Sequence, residues 1–178
     1  MPSPATETSV LCCADIGAVA IGRLLGRYGV AVEWVAPGSP ITGSFWGEPE
    51  AGIVGQRIFV RPDTPVHSLL HELCHIICMT PERRGSLDGN AGADDLEESA
   101  VCYLQVVLAD YLPGVGRQRL MQDMDTWGYS FRHGATERWF EEDADDARAW
   151  LQEEGVLLVA GEPVFSLRGL KGTSTYLS

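Results

Sequence analysis

Apolar residues recur at helical spacing along several stretches of this chain, and short β-branched runs lie between them. Ile16, Val19, Ala20, Leu24 and Leu25 predict a helix over residues 13–28, which Gly26 and Gly29 bring to an end. Residues 30–35 are β-branched and alternate, the pattern of a strand. A turn follows at residues 36–40. Residues 41–46 and 57–61 then read as a strand pair around the glycine-rich connection 47–55. Residues 66–77 are almost continuously apolar through Leu69, Leu70, Leu73, Ile76 and Ile77, so this helix is expected to be buried. Asp63 and Thr64 suit its N-cap and Pro65 its first position. A loop over 80–93 leads to a helix over 97–112 that Pro113 and Gly114 stop. A shorter helix is predicted over 116–125, a loop over 127–134 and a helix over 136–154. The last of these turns Trp139, Phe140, Ala147, Trp150 and Leu151 inward and leaves an acidic solvent face. Residues 156–160 and 164–167 read as a hairpin. Residues 1–9 form a polar tail expected to be disordered, and the last residues read as frayed. No internal repeat or linker divides the chain, so one domain spanning 1–178 is expected, of α+β class, with a small sheet on a helix pair and a helical C-terminal part.

The buried helix carries the chemistry. His71-Glu72-Leu73-Cys74-His75 reads H-E-x-x-H. Positions i and i+4 lie one above the other on a helix, so both imidazoles can face one metal ion, and Glu72 can reach a water on it. Two histidines and a glutamate on an apolar helix are costly unless something satisfies them. The bland alternative is a core helix whose histidines bond to backbone carbonyls.

A catalytic zinc takes three protein ligands and keeps one position open. The metzincin spacing would need Gly at position 78 and His at position 81, where this chain has Cys78 and Pro81. Peptide deformylases use a cysteine from a Glu-Gly-Cys element, which is absent here. A glutamate on the following helix remains, and the cluster Asp94, Asp95, Glu97, Glu98 opens that helix. Glu97 shares a stripe with Ala100, Val101, Leu104, Leu108 and Tyr111. Glu98 shares a more mixed face with Cys102, Gln105 and Ala109. The inward stripe favours Glu97 as the third ligand over Glu98. The expected metal set is therefore His71, His75 and Glu97, holding zinc.

Residues 24–108 resemble the compact gluzincin peptidases of the ImmA/IrrE type. Those proteins run helix, strand, glycine-containing strand pair, H-E-x-x-H helix, and then a helix opening with E-x-x-A, matched here by Glu97-Glu98-Ser99-Ala100. The family often has Asn or Asp after that alanine, where this chain has Val101. The resemblance implies a zincin-like fold and a zinc peptidase acting on a protein or peptide, with bacterial regulatory proteins as the family's substrates. In this scheme Glu72 is the general base. His133, in the loop after the metal helices, is the first candidate to stabilise the oxyanion, ahead of Tyr103, Tyr129 and Arg132. In many zincins the strand before the metal helix takes substrate as an added strand. Phe45-Trp46 or Ile58-Phe59-Val60 could offer that edge, or form a plain core hairpin.

Composition narrows the partners. A formal net charge of −12 repels nucleic acid and anionic membrane and favours basic or neutral partners. The 5 cysteines are odd in number and lack a disulfide spacing, so they read as reduced core residues of a cytoplasmic protein. Residues 10–25 are interrupted by Asp15 and Arg23, and the start carries no positive charge. Neither a signal peptide nor a membrane span is expected. The alternative function is a non-catalytic regulatory domain with a structural metal. A closed fourth ligand, Cys78 or His67, would mark it.

Overall fold

The computed structural model describes residues 9–87, 92–132 and 134–170. The chain is α+β. Two helices, α1 (Cys13–Ile16) and α2 (Ala18–Arg27), lead into strand β1 (Ala31–Trp34). Strands β2 (Gly52–Val54) and β3 (Arg57–Val60) precede the long helix α3 (Val66–Cys78). Then come α4 (Pro81–Gly85), α5 (Asp95–Leu108), α6 (Gly116–Trp127), α7 (Thr136–Glu142) and α8 (Asp145–Glu153). The sheet order is β1-β3-β2. β1 runs parallel to β3, with Val32 opposite Ile58, and β2 runs antiparallel to it, with Ile53 opposite Ile58.

α3 is the centre of the core. Every residue of it except His71 is buried. It packs against β3 on one side and against α5 and α6 on others. Its two ends are held by distant parts of the chain. At the N-terminus the Val66 N–H donates to the Leu11 carbonyl at 2.8 Å. Pro65, not Thr64, is the cap residue; Thr64 turns its hydroxyl to accept the Arg61 N–H at 2.9 Å. At the C-terminus the open carbonyls go to arginines. Arg84 donates to Ile76 O (2.8 Å) and Met79 O (2.6 Å), and Arg168 donates to Cys78 O (3.1 Å) and, through its backbone N–H, to Ile77 O (2.9 Å). Cations at a helix C-terminus satisfy both the orphan carbonyls and the dipole.

Several elements differ from the pattern-based expectation, and the loop expected over 80–93 contains the helix α4. The helix over 13–28 is broken at Gly17, whose φ of 91° no helix accommodates. The helix over 136–154 is broken between α7 and α8, around Asp143 and Ala144. Residues 41–46 form no strand. Gly43 (φ 73°) and Gly47 (φ 88°) turn the backbone away, and β3 instead pairs with β2, drawn from the glycine-rich connection. The C-terminal hairpin shrinks to a single bridge between Leu157 and Pro163. The tail before residue 9 and the last eight residues lie outside the described residues.

The 41–52 segment matters because it walls the site. The Ala51 N–H donates to the buried Ser68 Oγ on α3 at 2.9 Å. Arg61 gathers Glu48, Asp63 and the Ser39 carbonyl. Gly52 lies so close to the neighbouring backbone that a Cβ there would sit 1.8 Å from the Thr42 carbonyl oxygen. Gly52→Ala must push two backbones apart and is expected to lower stability by about 1–3 kcal/mol. Gly22→Ala, in the middle of α2 with nothing within 4 Å, should raise it by about 0.5–1 kcal/mol. Thermal unfolding of the two variants checks the contrast; equal shifts would show that the close approach is not real.

Candidate metal centre

His71 and His75 project from successive turns of α3 toward the first turns of α5, the helix packed alongside. Their Nε2 atoms are 3.1 Å apart. The carboxylate that meets them is Glu98. Its Oε1 lies 3.1 Å from His71 Nε2 and its Oε2 3.3 Å from His75 Nε2. These three residues are the metal-capable cluster among the described residues. The spacings fit an ion. Ligands about 2.0–2.2 Å from a tetrahedral zinc stand about 3.3–3.6 Å from one another. Three donors of types that zinc takes stand within a few tenths of an ångström of that spacing, so the group could hold a metal ion.

Glu97, expected as the third ligand, faces elsewhere. Both its oxygens accept from Arg83 Nη1 at 2.8 Å, and Arg168 Nη1 stands 4.0 Å away. Its backbone N–H is held by the N-cap, Asp94 Oδ1, at 2.8 Å. The helix phase is therefore one residue from that expected. The reason lies in α5 itself: from Ala100 through Leu108 it is buried all round, so an apolar stripe does not single out the face toward α3. The mixed stripe Glu98, Cys102, Gln105 is the one that meets the histidines. The E-x-x-A element of the family resemblance begins at Glu97, so this chain departs from that correspondence by one position as well.

Gln105 was the legible clue to this face. It is fully buried, and its Nε2 donates to His67 O at 2.6 Å and to Tyr129 Oη at 3.3 Å. That fixes the amide, so Oε1 accepts from His71 Nδ1 at 3.1 Å. His71 then carries a proton on Nδ1 and turns Nε2 to the cluster. Without a metal that nitrogen donates to Glu98. Burial lowers the His71 pKa, yet Tyr129, Cys102 and Glu98 together hold it well above the ordinary imidazole value. His75 has no such helper: its Nδ1 is buried without a partner. Burial pushes the His75 pKa down against the pull of Glu98. Burial also works against charge on Glu98, yet hydrogen bonds from the two imidazoles hold it well below the usual carboxylate range.

Glu72 is buried and opens onto the same cavity of about 440 Å³ as His71 and Glu98. Burial pushes its carboxyl up to about 7, with His71 pulling the other way. Tyr129 forms another wall of the cavity, its ring 6.0 Å from that of His71 and at right angles to it. Tyr103 stacks on Phe140 instead, and Arg132 lines a neighbouring cavity. His133, the expected oxyanion donor, lies outside the described residues. His67 is buried rather than solvated and bonds Tyr129 Oη through Nδ1 at 3.2 Å. Neither His67 nor Cys78 belongs to the cluster, and all five cysteines are free thiols.

Two measurements probe these assignments. Glu98→Gln should weaken zinc binding by at least about a hundredfold, more than the loss of an outer partner costs. Glu97→Gln should leave it within about tenfold while lowering stability by about 1.5–3 kcal/mol through the lost charged hydrogen bonds. Isothermal titration with zinc and thermal unfolding report both; the reverse ranking would restore Glu97 as the ligand. Glu72 gives a pH signature in metal-free protein. Its carboxyl ionises near 7 in the fold and near its ordinary 4.5 when unfolded. The cost of burying its charge is therefore absent below 4.5, grows between the two values and is complete above 7, at roughly 3 kcal/mol. Glu72→Gln removes that cost, so it should raise the unfolding temperature more at pH 8 than at pH 5. An equal or opposite effect would show Glu72 to be solvated.

Comparison with protein-family models, curated proteins and solved structures finds no match for this chain.

Proposed function

We propose that this chain is a zinc-dependent peptidase of the zincin kind, hydrolysing peptide bonds in a protein or peptide substrate. His71, His75 and Glu98 are its metal ligands and Glu72 its general base. One observation carries the reading. Two imidazole nitrogens and a carboxylate stand 3.1–3.3 Å from one another, on the wall of a cavity that a fourth group, Glu72, also enters. Among the described residues no fourth protein donor joins His71, His75 and Glu98, which supports a catalytic rather than a closed structural site. The likeness of the H-E-x-x-H helix to that of the ImmA/IrrE type supports the same reading.

Zinc, when bound, supplies a Lewis acid that polarises a carbonyl and acidifies water. The rest falls to the chain. Glu72, held in an apolar wall, takes the proton of the attacking water onto its carboxylate and passes it to the departing amine. A carboxyl whose pKa is pushed toward neutrality can both receive and release that proton. Gln105 keeps the His71 ring in one tautomer and one orientation, so the ligand set does not reorganise during turnover.

The test compares wild type with Glu72→Gln, both zinc-loaded, on a mixed peptide library read by mass spectrometry. Glutamine keeps the shape and cannot accept the proton, so cleavage should fall by about 10²–10⁴-fold with the metal retained. A zinc-loaded Gln variant that cleaves as well as wild type, or wild type that cleaves nothing, would leave only a structural metal.

A further inference from the structure

The cavity beside the metal centre is unusual in composition. Its outer wall is aromatic, with Trp46, Trp127, Tyr129 and Phe131. Trp46 is 75% exposed and Trp127 is 42% exposed, large apolar surfaces left open at its mouth. Its charged lining is entirely acidic among the described residues: Glu50, Glu72 and Glu98, with no lysine or arginine. Glu98 is engaged by the histidines and Glu72 lies deep in the wall. Glu50 has neither role. It sits at the rim, where it accepts a hydrogen bond from Trp127 Nε1 at 2.7 Å. That bond links the loop before β2 to the end of α6, so the carboxylate and the indole are presented as one fixed unit. The Ala51 N–H on Ser68 Oγ anchors the same loop to α3.

The geometry points to a recognition pocket for a long cationic side chain, lysine or arginine, of the peptide whose backbone is cleaved at the metal. The inference rests on the peptidase reading and names the class of substrate that the site takes. An aliphatic stem lies against the aromatic wall and its charged end meets aromatic faces and Glu50. Such a cation gains from the ring faces and from the carboxylate together. A neutral apolar side chain would cover the same rings but strip water from Glu50 and return nothing. An acidic one would face the carboxylate of Glu50. The neighbouring cavity, which shares Ser130 and Phe131, continues the same sign, with Asp95, Asp143 and Asp146 against Arg132. The chain's net charge of −12 draws basic segments toward this face. About 440 Å³ holds an entire arginine side chain, far more than an amino terminus would need.

The probes are N-acetylated hydroxamates of arginine, norleucine and phenylalanine, plus norleucine hydroxamate with a free amine, titrated calorimetrically into the zinc-loaded protein. The hydroxamate occupies the metal, so binding is read without turnover. Acetyl-arginine hydroxamate should bind at least about tenfold tighter than its acetyl-norleucine counterpart. Glu50→Gln, which keeps an acceptor for Trp127, should shrink that ratio at least about fivefold. Equal or better binding of the norleucine or phenylalanine compound would overturn the proposal. So would an unchanged ratio in Glu50→Gln, a free amine that matches arginine, or no binding by any probe. Failure of the parent reading looks different. Arginine preference without cleavage of any library peptide sinks the peptidase and leaves the cation pocket. Cleavage without basic preference does the reverse.

Discussion

Everything in this structure follows from the need to bury α3. The helix is covered on nearly every side, yet it carries three imidazoles and a carboxylate that are costly to bury without partners. The fold answers by bringing polar groups to it from outside its own sequence. Gln105 and Glu98 come from α5, Tyr129 from the segment after α6, and the Ala51 N–H from the 41–52 wall reaches the hydroxyl of Ser68. The ends are treated in the same way, with a carbonyl from residue 11 at one and two guanidinium groups at the other. The metal-capable cluster is thus the polar remainder of a core, concentrated where a cavity reaches it.

Four glutamates near this helix show how placement divides one chemistry into four roles. Glu97 is enclosed and paired with Arg83, so it joins α4 to α5. Glu98, one residue on, faces the imidazoles and stays charged against burial. Glu72 is buried with little to hold its charge, and its pKa rises. Glu50 sits at the rim with an indole N–H. None of these differences is intrinsic to the residue; each comes from which face of which element it occupies.

That is also why the sequence was readable only in part. The H-E-x-x-H motif, the helix carrying it and α5 were all legible, because i,i+4 spacing and apolar content act locally; the short α4 was not. The choice between Glu97 and Glu98 was not. A helix buried all round has no informative apolar stripe, and a residue's phase becomes visible only through a polar neighbour such as Gln105. The strand at 41–46 failed because Gly43 and Gly47 adopt positive φ, and a β-rich composition does not override that. The breaks at Gly17 and near Ala144 are equally local and equally easy to read through, since apolar spacing continues across them.

The capping of α3 has a consequence for the order in which the molecule can be assembled. Arg168 reaches the carbonyl of Cys78 from 90 residues further along the chain. During synthesis the histidine helix emerges long before that guanidinium does. Arg84 can cap Ile76 and Met79 soon after, but the carbonyls of Ile77 and Cys78 wait for Arg168 until almost all the described chain has been made. The helix that carries the candidate metal cluster is thus capped in full only by the end of the described chain, although its signature is written early.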